Sequence, residues 1–342
     1  MTLARTDTLT GALARVGLGQ FPTALEAAPR LSREPGFPPV WIKREDQSGL
    51  ALGGNKPRQL EFLMAAAMAE GAQAVITTAA AQSNFCRATA AAGARLGLHV
   101  GLLLRGTDQE ELQGNLLLDR LFGAEVRFIP TQDPYDERVA GWLEDFEADV
   151  SARGLKTHVL HLPGRTGTLG AAAMVCTGEE LVRQFAAQGI TPQALFMAAG
   201  AGLTLAGVVL AFKSLGLPTR VVGISVQKPA PFMVPLVVQR ANAAAQLLDL
   251  ATRITADDFD FDDSHIGPGY GVVTRAAVDA ICHGGSTEGL VLDPVYSGKA
   301  FAGMLAQLRA GRWPAAAPVV FLHSGGAPGL FANAARLAQW LR

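Results

Sequence analysis

Short Val/Ile/Leu-rich runs alternate with longer Ala/Leu-rich segments of helical periodicity along most of this chain. That rhythm favours parallel sheets covered by helices over an all-β or all-α design, since each crossover helix covers a sheet face. Strands are expected at 74–78, 99–104, 125–129, 194–199, 220–226 and 318–322, and Pro39-Val40-Trp41-Ile42-Lys43-Arg44 reads as another. The expected class is α/β, with parallel-rich sheets flanked by helices. At 342 residues the chain exceeds what one core usually serves, so two domains are expected. Leu162 to Thr168, containing Pro163-Gly164-Arg165, reads as a crossing between them.

Charge and cysteine usage narrow the function classes. The 29 basic and 30 acidic side chains nearly cancel, giving no sign of a nucleic-acid or anionic-membrane partner. Small anions must then be held by local geometry. Cys86, Cys176 and Cys282 are odd in number and lack metal-ligand spacing, so reduced thiols and no metal site are expected. Cys86 reads as a buried small side chain rather than a nucleophile. No basic N-terminal region precedes a long apolar run, and no apolar stretch is long enough to span a bilayer, so a cytoplasmic protein is expected.

Three junctions between strand-like and helix-like segments carry residues suited to chemistry. Lys56, one of only six lysines beside 23 arginines, follows Gly53-Gly54-Asn55 and opens the apolar-faced pattern Gln59-Leu60-Glu61-Phe62-Leu63-Met64. It is either a solvated helix-start charge or an amine placed to react. Gln82-Ser83-Asn84 opens a second helix, where Ser83 and Asn84 suit either N-capping or hydrogen bonding to a ligand's oxygen atoms. Phe196 to Thr204 runs from a strand into the turn Gly200-Ala201-Gly202 and a helix to Ser214, an arrangement whose backbone N–H groups bind phosphate. A dinucleotide site fits poorly: Leu205 stands where the third glycine belongs, and the strand 220–227 ends without an acidic residue. There is no Gly-x-Ser-x-Gly elbow, and His265 beside Asp263 reads as a loop histidine.

Together the motifs resemble the D-cysteine desulfhydrase and aminocyclopropanecarboxylate deaminase family, within the tryptophan synthase β-like (fold type II) enzymes. The markers are Gly53 to Arg58, Gln82 to Asn84, Gly114-Asn115-Leu116-Leu117-Leu118-Asp119-Arg120-Leu121, Asp293 to Lys299 and His323 to Gly326, in family order. The resemblance runs from Phe21-Pro22-Thr23 to Gly325-Gly326-Ala327-Pro328. It implies a large domain of residues 1–51 plus 161–342, a small inserted domain of 52–160, and pyridoxal 5'-phosphate in the cleft between them.

The same resemblance assigns roles. Lys56 would carry the cofactor as a Schiff base and then remove the Cα proton. Asn84, Gly200, Ala201, Gly202, Leu203, Thr204 and Ser324 would hold the cofactor, Ser324 at the pyridine nitrogen. Ser83, Asn84, Phe85, Tyr270 and Tyr296 would contact a small amino-acid substrate, with Ser83, Tyr270 and Tyr296 also catalytic. Tyr135 is the one remaining tyrosine. The lead activity is β-elimination from D-cysteine in a homodimer. Aminocyclopropanecarboxylate deamination, cysteate lysis, β-replacement and a silent ligand-binding member are the alternatives.

Three positions depart from the family pattern. Phe85 replaces the histidine usual in the desulfhydrase branch, and Leu203 replaces a glycine in the phosphate turn. Ser297 stands where the deaminase branch has glutamate, which weakens the ring-opening reading.

Overall fold

The computed structural model describes residues 8–107, 111–133 and 136–341, so Tyr135 lies outside them. Among the described residues, β1 (Leu25–Ala27) pairs antiparallel with β2 (Val40–Lys43), and α1 (Lys56–Ala69) follows. A parallel unit comes next: β3 (Ala74–Ala80), α2 (Asn84–Leu96), β4 (His99–Arg105), α3 (Gly114–Leu121), β5 (Glu125–Ile129), α4 (Arg138–Ser151) and β6 (Thr157–Leu160). Its strands lie in the order β5-β4-β3-β6. The long α5 (Arg165–Gln188) returns the chain to β7 (Ala194–Ala199), α6 (Leu203–Ser214), β8 (Arg220–Ser225), α7 (Ala230–Leu247) and β9 (Phe259–Asp262). Then come α8 (Arg275–Glu288), α9 (Ser297–Arg309), β10 (Val319–Leu322), α10 (Ala327–Ala332) and α11 (Ala334–Ala338). The second sheet has the order β1-β2-β10-β7-β8-β9, parallel except for the β1–β2 pair.

The apolar runs became strands because both faces of the six-stranded sheet are covered. Phe196, Val222, Ile224, Val319 and Phe321 pack on one side with Phe301 and Met304 of α9. Leu195, Met197, Val221, Val320 and Leu322 pack on the other with α5, α6 and α7. Two-sided burial favours continuous β-branched and aromatic runs, and each such side chain contributes about 1.5–3 kcal/mol. Helix α6 is buried from Leu203 to Phe212, as its apolar character all round requires. The reading from sequence missed β1, β6 and β9. Strand β9, Phe259-Asp260-Phe261-Asp262, alternates as an exposed edge does, and β1 has only three residues.

The four-stranded sheet is covered on one face by α1 and α2 through Leu60, Leu63, Met64, Phe85 and Ala88. On the other, α4 supplies Val139, Leu143 and Phe146. Leu18 joins the first cluster, because the Glu61 carboxylate accepts the Leu18 and Gly19 N–H groups at 2.8 and 2.9 Å.

A buried ionic cluster fixes the start of α1. Arg58 donates to Glu45 through Nε (3.0 Å) and Nη2 (2.6 Å), and to Glu180 of α5 through Nη1 (3.0 Å). Lys43 of β2 pairs with Glu180, and the Arg58 guanidinium lies 3.9 Å from the centre of the Phe21 ring. Two cations and two carboxylates balance, so removing one partner would strand a buried charge at a cost of about 3–5 kcal/mol. The cluster lies two residues beyond Lys56.

Candidate active site

The carboxyl ends of strands from both sheets open on one cavity of about 510 Å³. Ser83 beyond β3, Arg105 closing β4, His161 beyond β6, Gly200 beyond β7, Gln227 beyond β8 and Ser324 beyond β10 all line it. This is where ligands bind in open α/β sheets, since the chain leaves the sheet there and frees backbone polar groups. The structure brings Lys56, Ser83, Asn84, Phe85, Gly200, Ala201, Gly202, Leu203, Thr204, Tyr270, Tyr296 and Ser324 together around this space.

Lys56 is the first residue of α1, with Pro57 setting the opening turn. Its position relative to Ser324 is fixed by backbone. The Asn55 N–H donates to the Ser324 carbonyl at 3.2 Å, and Gly325 runs so close that a Cβ there would sit 2.6 Å from the Gly54 Cα. Loss of hydration lowers the Lys56 amine to about 8, with no carboxylate among the described residues to oppose it. The side chain keeps some exposure, and that exposure is to the cavity. Other lysines are engaged elsewhere. Lys43 donates to Thr23 O and Gln184 Oε1, and Lys299 to Ile266 O and Gly269 O.

Across the cavity, Gly202 caps α6 with a left-handed φ of 74°. The first amides of α6 have no acceptor within the helix and carry the positive end of its dipole. Thr204 Oγ1 accepts from Asn55 Nδ2 at 2.8 Å, which ties this turn to the Lys56 segment. A Cβ on Gly202 would lie 4.0 Å from Arg240 Nη1, so a guanidinium stands beside the turn. Leu203 turns its side chain into the large core, leaving its backbone at the turn. Phe85 likewise packs with Leu60 and Leu63 while forming part of the wall.

Ser83 caps α2, its Oγ accepting from the Phe85 and Cys86 N–H groups at 3.1 and 3.2 Å. Asn84 Oδ1 accepts from Asn115 Nδ2 at 3.0 Å, and Asn115 Oδ1 accepts from Arg87 Nε at 2.8 Å. Cys86 is fully buried, and burial pushes its thiol well up. A thiol so held is a poor nucleophile.

Tyr270 and Tyr296 meet edge to face, with ring centroids 5.9 Å apart and their phenol oxygens within hydrogen-bonding distance. Burial raises both phenols, Tyr296 well above its ordinary value. Asp293 holds the Tyr296 segment by accepting the N–H groups of Val295, Tyr296 and Ser297, each at 2.9 Å. Ser297 is fully buried and donates its hydroxyl to Asp293 Oδ1 at 2.7 Å, and it does not line the cavity. The turn after Ser324 is held by His323, whose Nδ1 accepts from the Gly325 N–H at 3.3 Å. Its Nε2 lies 3.1 Å from Val291 O.

Arg105, Thr78, Gln59, His161 and Arg240 also line the cavity and were missed by reading the sequence. Arg105 and His161 stand at strand ends, where position alone is a signal. Arg240 lies inside α7 and Gln59 inside α1, where nothing local distinguishes them.

A desolvated amine, a glycine-capped helix start beside an arginine and a serine on a strand end fit a phosphorylated aromatic aldehyde. The comparisons with known proteins agree. The family model described as "Pyridoxal-phosphate dependent enzyme" matches residues 16–325. D-cysteine desulfhydrases of Salmonella paratyphi A and Salmonella typhi are each 37% identical over 316 residues, covering 91% of this chain and 93% of theirs. A solved structure described as an ACC deaminase homologue superposes with a TM-score of 0.88 at 34% identity, over 97% of this chain and 98% of that one. The chain belongs to the pyridoxal-phosphate dependent enzymes, and its cofactor is pyridoxal phosphate.

Proposed function

We propose that the protein is a lyase that removes the β-substituent of a small amino acid, with D-cysteine as lead substrate. D-Cysteine and water would yield pyruvate, ammonia and hydrogen sulfide. The observation that carries this reading is the Lys56 amine, lowered to about 8, in one cavity with the paired tyrosines. An amine tuned close to the working pH is an effective general base.

The bound cofactor supplies the electron sink that makes the Cα proton removable. Lys56 Nζ would hold the cofactor aldehyde and would take the Cα proton, and the Arg58 cluster two residues on fixes the helix start that carries it. The amides of Leu203 and Thr204, with Gly200, Ala201 and Gly202 giving close backbone approach, would hold the phosphate. Asn84 and the Ser324 hydroxyl would hold the cofactor ring, Ser324 at its nitrogen. A neutral hydroxyl there does not force the nitrogen to stay protonated, which favours elimination over transamination. The Ser83 hydroxyl and the start of α2 take the substrate carboxylate. Tyr270 and Tyr296 face the β-substituent and deliver a proton to the departing sulfur, while Phe85 excludes water from that side. We further assign residues 1–51 with 161–342 and residues 52–160 to two domains, and the active form to a cytoplasmic homodimer.

The experiment is a product assay on the purified holoenzyme. The reading expects pyruvate and sulfide in equal amounts from D-cysteine. A cofactor-loaded protein that released no pyruvate from D-cysteine or β-chloroalanine would contradict it.

A further inference from the structure

The charges around the cavity do not balance. Among the described residues its lining includes Lys56, Arg105 and Arg240 and has no aspartate or glutamate. A low-dielectric space with only cations in its wall is built to receive anions. Arg240 stands beside the Gly202 turn, where the phosphate belongs. Arg105 is elsewhere: it closes β4, next to Ala80 of β3, and its charge acts on the phenols of both Tyr270 and Tyr296. It forms no ion pair or hydrogen bond among the described residues.

A second group points the same way. Thr78 is two residues before Ala80 on β3, so alternation puts its side chain on the sheet face that Arg105 occupies. Among the described residues its Oγ1 is buried without a hydrogen-bond partner, on the wall of the cavity. A buried hydroxyl left unpaired is costly unless a ligand completes it.

We propose that Arg105 and Thr78 form a subsite for a negatively charged group on the β-substituent of the substrate. The inference rests on the lyase reading and deepens it. The negative charge that develops on the departing sulfur before it is protonated fits the subsite, and so does a β-substituent bearing a sulfate ester. With serine O-sulfate, the Cα–H bond breaks as the proton passes to Lys56 and the Cβ–O bond breaks with both electrons leaving on sulfate. The remaining enamine takes up water to give pyruvate and ammonia, with no net oxidation or reduction.

Two measurements on the holoenzyme separate this inference from the reading beneath it. The first is binding, followed by the cofactor's visible absorbance, of aspartate and alanine of the same hand; neither has a leaving group. Wild-type protein should prefer aspartate by roughly 30-fold, the worth of a charge-assisted hydrogen bond, and Arg105→Gln should abolish the preference while Arg105→Lys keeps part of it. Thr78→Val should reduce it by a smaller factor. The second is the ratio of kcat/KM for serine O-sulfate to that for β-chloroalanine, which should fall by a similar factor in Arg105→Gln. An aspartate preference that survives Arg105→Gln, or two substrates that fall together, would overturn the subsite. An Arg105-dependent preference for aspartate with no turnover of any β-substituted amino acid would keep the subsite and overturn the lyase reading.

Discussion

The phenol oxygens of Tyr270 and Tyr296 lie 2.5 Å apart on the cavity wall, so the two residues share one hydrogen bond. Burial raises both phenols, and the loss of a proton from either would place a charge against the other. Both are therefore neutral at neutral pH and act as one donor unit. Tyr296→Phe and Tyr270→Phe should each lower kcat on D-cysteine by roughly 100-fold, with little further loss in the double variant. Fully multiplicative losses, measured by steady-state pyruvate release, would show two independent roles.

The Lys56 amine gives the cofactor-free protein a characteristic pH dependence. Its pKa is about 8 when folded and 10.5 when exposed, so between these values the unfolded chain binds more protons and stability rises with pH. Below pH 8 the full penalty applies, at most about 3 kcal/mol and less where cavity water reaches the amine. Cofactor-free Lys56→Met should thus be more stable than cofactor-free wild type at pH 7, by about 1–3 kcal/mol in urea unfolding. The gap should narrow as pH rises from 8 towards 10.5. A gap independent of pH would place the amine in water.

At the turn proposed to hold the phosphate, Gly202 combines a positive φ of 74° with close packing, since a Cβ would meet Val237 Cγ2 at 2.9 Å. Gly202→Ala should weaken the cofactor modestly through strain, about 1 kcal/mol. Gly202→Asp should weaken it by several kcal/mol more, because a carboxylate would face the phosphate. Equilibrium dialysis distinguishes the two, and equal affinities would move the phosphate elsewhere.

Ser297 shows where a family position can mislead. A glutamate there suggests ring-opening chemistry, yet here the side chain points at Asp293, away from the cavity. Ser297→Glu would press a second carboxylate against a buried one. It should lower Tm by roughly 5–10 °C and bring no rise in 2-oxobutyrate from aminocyclopropanecarboxylate. A stable variant that gains this activity would mean that the helix start rearranges.

What the sequence disclosed follows the strength of local patterns. The strands 194–199 and 319–322 were legible because they are buried on both faces, and the Gly200 turn because a helix had to start after it. Leu203 and Phe85 were readable as departures, but their outcome was not, since only packing shows Leu203 turned into the core and Phe85 shared between core and wall. Arg105 was hidden for a different reason: its meaning depends on the Tyr270 and Tyr296 phenols, more than 150 residues away in the chain. Ser297 likewise needed Asp293 to be placed before its hydroxyl had a direction.

The central claim is that Lys56 carries the cofactor, and reduction of the holoenzyme with borohydride followed by peptide mapping tests it most directly. The account predicts the reduced cofactor on the peptide containing Lys56, and no such adduct in Lys56→Ala. Label on Lys43, held by Glu180, or on Lys299, held by the carbonyls of Ile266 and Gly269, would contradict it.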